Sequence, residues 1–405
     1  MRPVNPVGIG SFRGLALLAA LVAALLLPGM ARAASPFTVK RDLPYGPANE
    51  QPTSNLLDIY VPTDEADTPR PVFVWIHGGG WFMNDKNSTT MADKARAMIR
   101  AGFIFVSINY RLSPLLSGPG AMASHRIRFP VHHQDSARAL GWINDHIAGY
   151  GGDPRRLVLG GDSAGGQIAS LLATRPSFIR ARGLGPGQIK AVVSFDTVGF
   201  DIGRMAAPAY RRISPGFQRM VFNAFGSPAE ERLSPDWTRA SPVRFADRSD
   251  PPTYFVVAAA SKDRWVESRH MASLLGQRFG LVSRKVPVSH DGVVLLLGNP
   301  EGDQGTTGPV ARFARAAVSP VVSRPVIRGQ RVLATGAGAL AATLKLEVTA
   351  RPAARLITCR MDAGREALCP RAWRLGRGLH RLRVSTYDAT GRISASRLVR
   401  VRVGR

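Results

Sequence analysis

A single serine sits at the pivot of Gly160-Gly161-Asp162-Ser163-Ala164-Gly165-Gly166, between the apolar run 157–159 and a helix-like pattern that continues through 173. Reversing a strand into a helix within so few residues demands backbone freedom and small side chains, which the flanking glycines supply. A turn that sharp holds its central residue in strained dihedrals and pushes its side chain into the open. The Gly-x-Ser-x-Gly spacing at 161–165 therefore fits a nucleophile elbow, in which the amide of Ala164 and the positive end of the helix face developing negative charge. Upstream, His77-Gly78-Gly79-Gly80-Trp81 closes another apolar run. Three successive glycines let backbone amides turn together toward a substrate oxygen. Paired with the amide after the nucleophile, such a loop makes an oxyanion hole. Gly78, Trp81 and Asp162 are also candidates for the substrate pocket. The chemistry these parts can perform is acyl transfer through a serine.

A serine hydroxyl is a weak nucleophile until a base takes its proton, and the base needs an acid to orient it. With the serine on an elbow, the expected chain order is serine, acid, histidine. Asp263 follows the apolar run 253–260, and His290 follows a further apolar run in Lys285-Val286-Pro287-Val288-Ser289-His290. Each lies past a strand candidate, at the end where a site would form, so these two are the expected acid and base. Asp250 precedes its strand, Asp291 is adjacent to His290, and His270 falls within a helical pattern. His125, His132 and His133 near Asp135 suggest a metal at first glance. Adjacent histidines diverge on most backbones, however, and no second carboxylate stands at ligand spacing, so no metal and no other cofactor is expected.

The elements that must position these residues alternate along residues 56–297. Strand candidates at 71–77, 103–110, 156–161, 189–195 and 253–260 are nearly continuous in hydrophobicity, as strands buried on both faces are. Helix candidates fall at 91–100, 135–148, 166–174 and 266–279. This βαβα order predicts an α/β fold, a mostly parallel sheet with helices on both faces and a site beyond the carboxyl ends of its strands. After about residue 315 the pattern changes to short alternating segments between Gly and polar turns, which predicts a small all-β sandwich. The expected division is 1–33, 34–318 and 319–405.

Residues 1–33 carry Arg2 and Arg13, the apolar run 15–27, Pro28-Gly29 and Ala31-Arg32-Ala33. The run is shorter than the roughly 20 residues a spanning helix needs, and the pattern is that of a secretory signal peptide cleaved near Ala33. The mature chain is therefore expected in the medium, the periplasm or at the cell surface. Its only cysteines, Cys359 and Cys369, are expected to form a disulfide there. Of a net charge of +26, most lies at 312–405, where 20 lysines and arginines face 4 carboxylates. That balance suits an anionic envelope polymer or lipid surface. Nucleic acid is a poor candidate without a recognition motif or interleaved aromatics.

Several stretches carry a family resemblance: His77-Gly78-Gly79-Gly80-Trp81, Asn109-Tyr110-Arg111-Leu112-Ser113-Pro114, the run 129–143, the run 150–166 with its Gly-Asp-Ser-Ala-Gly-Gly, and Trp237-Thr238-Arg239-Ala240-Ser241-Pro242. Over residues 38–317 the chain resembles the bacterial carboxylesterases of the α/β-hydrolase superfamily, near the hormone-sensitive-lipase-like and feruloyl-esterase-like branches. The resemblance implies Ser163 as nucleophile, Asp263 and His290 as its partners, and Gly79, Gly80 and Ala164 as oxyanion donors, with Gly78 able to replace one of the glycines. It implies an exported serine esterase acting on short-to-medium acyl esters. Arylformamidases share the His-Gly-Gly-x-Trp entry, which keeps a C–N hydrolase as the alternative. A binding protein on an inactive hydrolase scaffold would be expected to lack Ser163 or His290, and both are present. The tail, with Cys359-Arg360-Met361-Asp362-Ala363-Gly364 and Gly378-Leu379-His380, resembles bacterial immunoglobulin-like modules.

Overall fold

The continuous apolar runs become the interior of an eight-stranded sheet. The computed structural model describes residues 35–113, 127–185, 187–208, 215–319, 324–334, 341–351, 355–370 and 372–403. The expected signal peptide and His125 lie outside these. Met1–Pro36 and Phe37–Arg405 are separate units, and the second contains all that follows.

The strands of the large sheet are β1 (Phe37–Pro44), β2 (Leu56–Pro62), β3 (Arg70–Ile76), β4 (Ile104–Ile108), β5 (Gly152–Asp162), β6 (Ile189–Phe195), β7 (Thr253–Ala258) and β8 (Ser283–Val286). Their order is β1-β2-β4-β3-β5-β6-β7-β8. β2 runs antiparallel to β1 and β4, and the six strands from β4 to β8 are mutually parallel. The longer helices are α1 (Met91–Arg100), α2 (Val131–His146), α3 (Ser163–Thr174), α4 (Pro215–Phe225), α5 (Lys262–Leu274) and α6 (Thr307–Val318).

Strand alternation sorts the core into two layers. Val72, Val74 and Ile76 join Leu140, Ile143 and Leu171 from α2 and α3 on one face. Phe73 and Trp75 join Met98, Met271 and Phe313 from α1, α5 and α6 on the other. Both faces are thus dry, and truncating a fully buried Phe73 or Trp75 to alanine would cost about 3–5 kcal/mol. The fold is that of the α/β-hydrolases, with Ser163, Asp196 and His290 following β5, β6 and β8 at one end of the sheet.

The C-terminal strands are β9 (Arg324–Ala334), β10 (Ala341–Arg351), β11 (Leu356–Met361), β12 (Ala367–Leu368), β13 (Ala372–Gly376), β14 (Gly378–Tyr387) and β15 (Ile393–Val403). They form two antiparallel sheets, β13-β10-β9 and β12-β11-β14-β15, around a small core that includes Leu344, Leu382, Val384 and Val401. Cys359 in β11 is bonded to Cys369, which directly follows β12. The β14–β15 turn docks on the α/β part. Gly391 O accepts from Arg278 N–H (2.8 Å), and Gln277 Nε2 donates to Thr390 O (2.6 Å) while its Oε1 accepts from Thr253 N–H (2.9 Å). Arg392 Nη2 donates to the carbonyls of Asp250 and Leu275.

Candidate active site

β5 passes into α3 without a loop, Asp162 ending the strand and Ser163 opening the helix. Ser163 has φ 49°, in the left-handed region, and is 7% exposed. Such a conformation costs a non-glycine residue of order 1–3 kcal/mol and persists only where the surroundings over-determine it. Gly165 is one reason it persists. A Cβ there would collide with the carbonyls of Ile76 and His77, so only glycine lets the first turn of α3 lie against the end of β3.

His290 opens a four-residue helical turn, His290–Val293, whose N-cap Ser289 accepts the Gly292 N–H through its Oγ (3.1 Å). Its Nε2 lies 3.0 Å from Ser163 Oγ and its Nδ1 2.8 Å from Asp196 Oδ2. A carboxylate accepts only, so Nδ1 carries the proton and Nε2 is left to accept from the serine.

Asp196 directly follows β6 with φ 43° and is 1% exposed. Its Oδ1 accepts from Ala258 N–H (3.0 Å). Its Oδ2 accepts from Ser261 Oγ (3.1 Å), from Arg264 Nη1 (2.6 Å) and from His290. Burial pushes this carboxyl upward. The His290 hydrogen bond, the Arg264 charge and the Ala258 amide outweigh it and hold the group below the usual aspartate value. It is therefore ionised at neutral pH.

The expectation that Asp263 orients His290 is corrected by this arrangement. Asp263 lies in the first turn of α5, 44% exposed, with its carboxylate 3.6 Å from Arg204. The residue of that segment that turns inward is its neighbour Arg264, which meets Asp196 rather than the imidazole. The signal for Asp196 was in the sequence, a carboxylate immediately after a strand candidate at the end where the site lies.

The glycine-rich loop differs from expectation in three residues. Gly78 N–H donates to Asp162 Oδ1 (3.0 Å), which takes that amide out of the set of oxyanion donors. Gly79 and Gly80, with φ 102° and 59°, are the remaining pair on this loop, beside Ala164 at the elbow. Asp162 is spent holding the loop rather than lining a pocket, and burial raises its carboxyl above the usual range despite the Lys94 charge and the Gly78 amide. Trp81 is fully buried, its Nε1 donating to Gln167 Oε1 (3.2 Å) and its ring edge-on to Phe225 at 4.8 Å. All three shape the site from behind.

Gln167 itself was not anticipated. It faces His133 Nε2 at 3.1 Å and donates to Ala240 O (2.7 Å), so one buried amide joins α3 to the glycine loop, α2 and the segment before Ser241. His132 instead meets Ser113 Oγ (2.8 Å), and Asp135 holds Arg111 through both oxygens (2.7 and 2.8 Å). Burial lowers both histidines, His132 to about 4. The two imidazoles diverge to separate partners, and among the described residues no group of three His, Cys, Asp or Glu side chains could hold a metal ion.

Comparison with known proteins bears on the family and the fold. The BD-FAE family model matches residues 57–277. Among curated proteins, esterase LipQ of Mycobacterium tuberculosis is 39% identical over 133 residues, 33% of this chain and 28% of that protein. The probable carboxylic ester hydrolase LipM of the same organism is 32% identical over 223 residues, 53% of this chain and 46% of that protein. The chain thus spans less than half the length of these relatives. Among solved structures, a truncated carbohydrate esterase from gut microbiota superposes with a TM-score of 0.53 at 20% identity, covering 71% of this chain and 99% of that one. Esterase B from Lactobacillus Rhamnosis gives 0.52 at 19% identity, over 75% and 95%. At these identities the structural likeness speaks to the fold.

Proposed function

We propose that this chain, which belongs to the BD-FAE family, hydrolyses carboxylic esters of short-to-medium acyl length by acyl transfer to Ser163. The observation that carries the reading is the unbroken relay from Ser163 Oγ through His290 to Asp196 at 3.0 and 2.8 Å. Neutral His290 accepts the serine proton through Nε2 as Oγ attacks the ester carbonyl. Asp196 keeps Nδ1 protonated and balances the imidazolium. The amides of Gly79, Gly80 and Ala164 receive the negative charge that develops on the carbonyl oxygen. His290 then returns its proton to the departing alkoxide, which leaves as the alcohol and an acyl-serine. Water, deprotonated by His290 in turn, attacks the acyl-serine to release the acid and restore the hydroxyl.

The test is Ser163→Ala, assayed on p-nitrophenyl butyrate and the matching anilide with a fluorophosphonate label. Loss of at least ~10³-fold in turnover, with labelling abolished and circular dichroism unchanged, is expected. Undiminished labelling would move the nucleophile elsewhere.

The leader at 1–33 and the Cys359–Cys369 bond both support export. The C-terminal sheets support a destination on an anionic envelope surface. Arg360 stands directly opposite Arg383 across β11 and β14, and Arg381 opposite Arg400 across β14 and β15, all four exposed. Like charges directly opposed across strands destabilise a sheet, and an anionic partner relieves that repulsion.

A further inference from the structure

The β7–α5 segment, where the sequence suggested an acid, delivers a cation to the site instead. Asp196 Oδ2 has two strong donors on it at once, His290 Nδ1 at 2.8 Å and Arg264 Nη1 at 2.6 Å. Arg264 Nη1 also donates to Ser261 Oγ at 2.8 Å, and that hydroxyl in turn donates to Asp196 Oδ2 at 3.1 Å. The guanidinium side chain is 20% exposed, and its buried Nε has no hydrogen-bond partner among the described residues. An arginine held this way, with part of its donor capacity unused, is placed by its charge on Asp196 more than by satisfaction of its own fork.

We propose that Arg264 is a positioning residue for the reaction. It clamps the Asp196 oxygen that orients His290, and its positive charge weakens the pull of that carboxylate on the imidazolium. The inference rests on the Ser163–His290–Asp196 reading and adds to it a setting of the pH range. Without the cation, Asp196 would stabilise protonated His290 more strongly, and the base form would be lost at higher pH. With Arg264 in place, the enzyme keeps its base neutral further into acid.

The other charged groups near this pair act from other directions. Asp162, at the end of β5, is coupled electrostatically to both His290 and Lys94, and Asp291 follows His290 in its own helical turn. Glu267 lies one turn beyond Arg264 on α5, 3.7 Å from Arg204, and is pushed up to about 7 by burial. It is largely neutral below that pH and leaves Arg264 as the cation facing Asp196.

The experiment compares Arg264→Gln and Arg264→Lys with the wild-type full chain. The guanidinium and the imidazole meet the same Asp196 oxygen, at 2.6 and 2.8 Å. At that range, with solvent screening, removing one charge moves a titration by about one pH unit. The acid limb of kcat/KM should rise by about one unit in Arg264→Gln, with kcat about tenfold lower and KM within twofold. Arg264→Lys should return the limb toward its wild-type position. An independent reading is the NMR titration of the His290 ring in a Ser163→Ala background, where the same Arg264→Gln change should raise the midpoint by the same amount. If wild type turns over no ester, the catalytic reading fails, yet the NMR titration still decides the role of Arg264. An unmoved limb and an unmoved His290 midpoint in Arg264→Gln would overturn the proposal.

Discussion

Exchanging the two aspartates that compete for the acid position separates them by orders of magnitude. Asp196→Asn keeps the shape but replaces one acceptor oxygen by an NH2 group. Four donors converge on this carboxylate, from Ala258, Ser261, Arg264 and His290. An asparagine has one oxygen to meet them, so at least one donor is left facing an N–H, and His290 loses the charge that fixes its tautomer. In serine triads the same change costs about 10⁴ in kcat, which corresponds to about 5 kcal/mol of transition-state stabilisation. Stability should fall as well, because Arg264 is left without its counter-charge. A broken buried pair costs about 3–5 kcal/mol, and the partial exposure of Arg264 puts this one at the low end. Asp263→Asn removes a 44% exposed carboxylate whose nearest cation, Arg204, is 3.6 Å away and equally exposed. Such a pair is worth about 0–1 kcal/mol, and kcat should stay within about threefold. The assay is steady-state hydrolysis of p-nitrophenyl butyrate at 25 °C, on samples whose circular dichroism and melting temperature are recorded first. A folded Asp196→Asn enzyme near wild-type rate beside a collapsed Asp263→Asn enzyme would refute the assignment.

Two further predictions address the oxyanion loop and the charged sheet. Gly78→Ala drives a Cβ into the Asp162 carboxylate and to 2.8 Å from its carbonyl oxygen, which displaces Gly79 and Gly80. kcat should fall about 10²–10³-fold with the fold intact, and an unchanged kcat would mean that these amides are not the oxyanion donors. Reversing the facing pair in Arg381→Glu/Arg400→Glu should abolish most co-sedimentation with vesicles rich in phosphatidylglycerol while leaving turnover of small soluble esters unaltered. In the wild type that binding should weaken with salt, since exposed charges are screened over about 8 Å at physiological ionic strength, and salt-independent or absent binding would remove the anionic-surface reading.

The parallel sheet was legible because strands buried on both faces carry a continuous apolar signal. The candidate 189–195 coincides with β6, and 71–77 lies within one residue of β3. β1 was not singled out. It is an edge strand with most residues exposed or half-exposed, so its sequence has no reason to be apolar. α5 begins at Lys262, four residues before its periodicity is visible, because its first turn carries charges that serve Asp196 and Arg204 rather than the core. Ser163 and His290 could be read from local pattern and chain order. The acid could not, since that order admits any carboxylate between them and two strand ends each supplied one. What separates Asp196 from Asp263 is the direction of a side chain after a strand, fixed by a left-handed residue and three tertiary donors that leave no local trace.

The position of the C-terminal sheets bears on how they relate to catalysis. Their docking turn meets Asp250, Leu275, Gln277 and Arg278, which precede β7 or lie between α5 and β8. Ser163, Asp196 and His290 follow the opposite, carboxyl ends of β5, β6 and β8. In a parallel sheet those two edges are separated by the length of the strands, at about 3.3 Å per residue. A six-residue β7 therefore holds the dock about 20 Å from the relay, with a buried strand between them. Contacts at that distance reach the chemistry through β7, α5 or β8, and β7 is fully enclosed with little freedom to transmit a shift. The dock therefore keeps the C-terminal sheets away from the relay, as the localising role proposed for them requires.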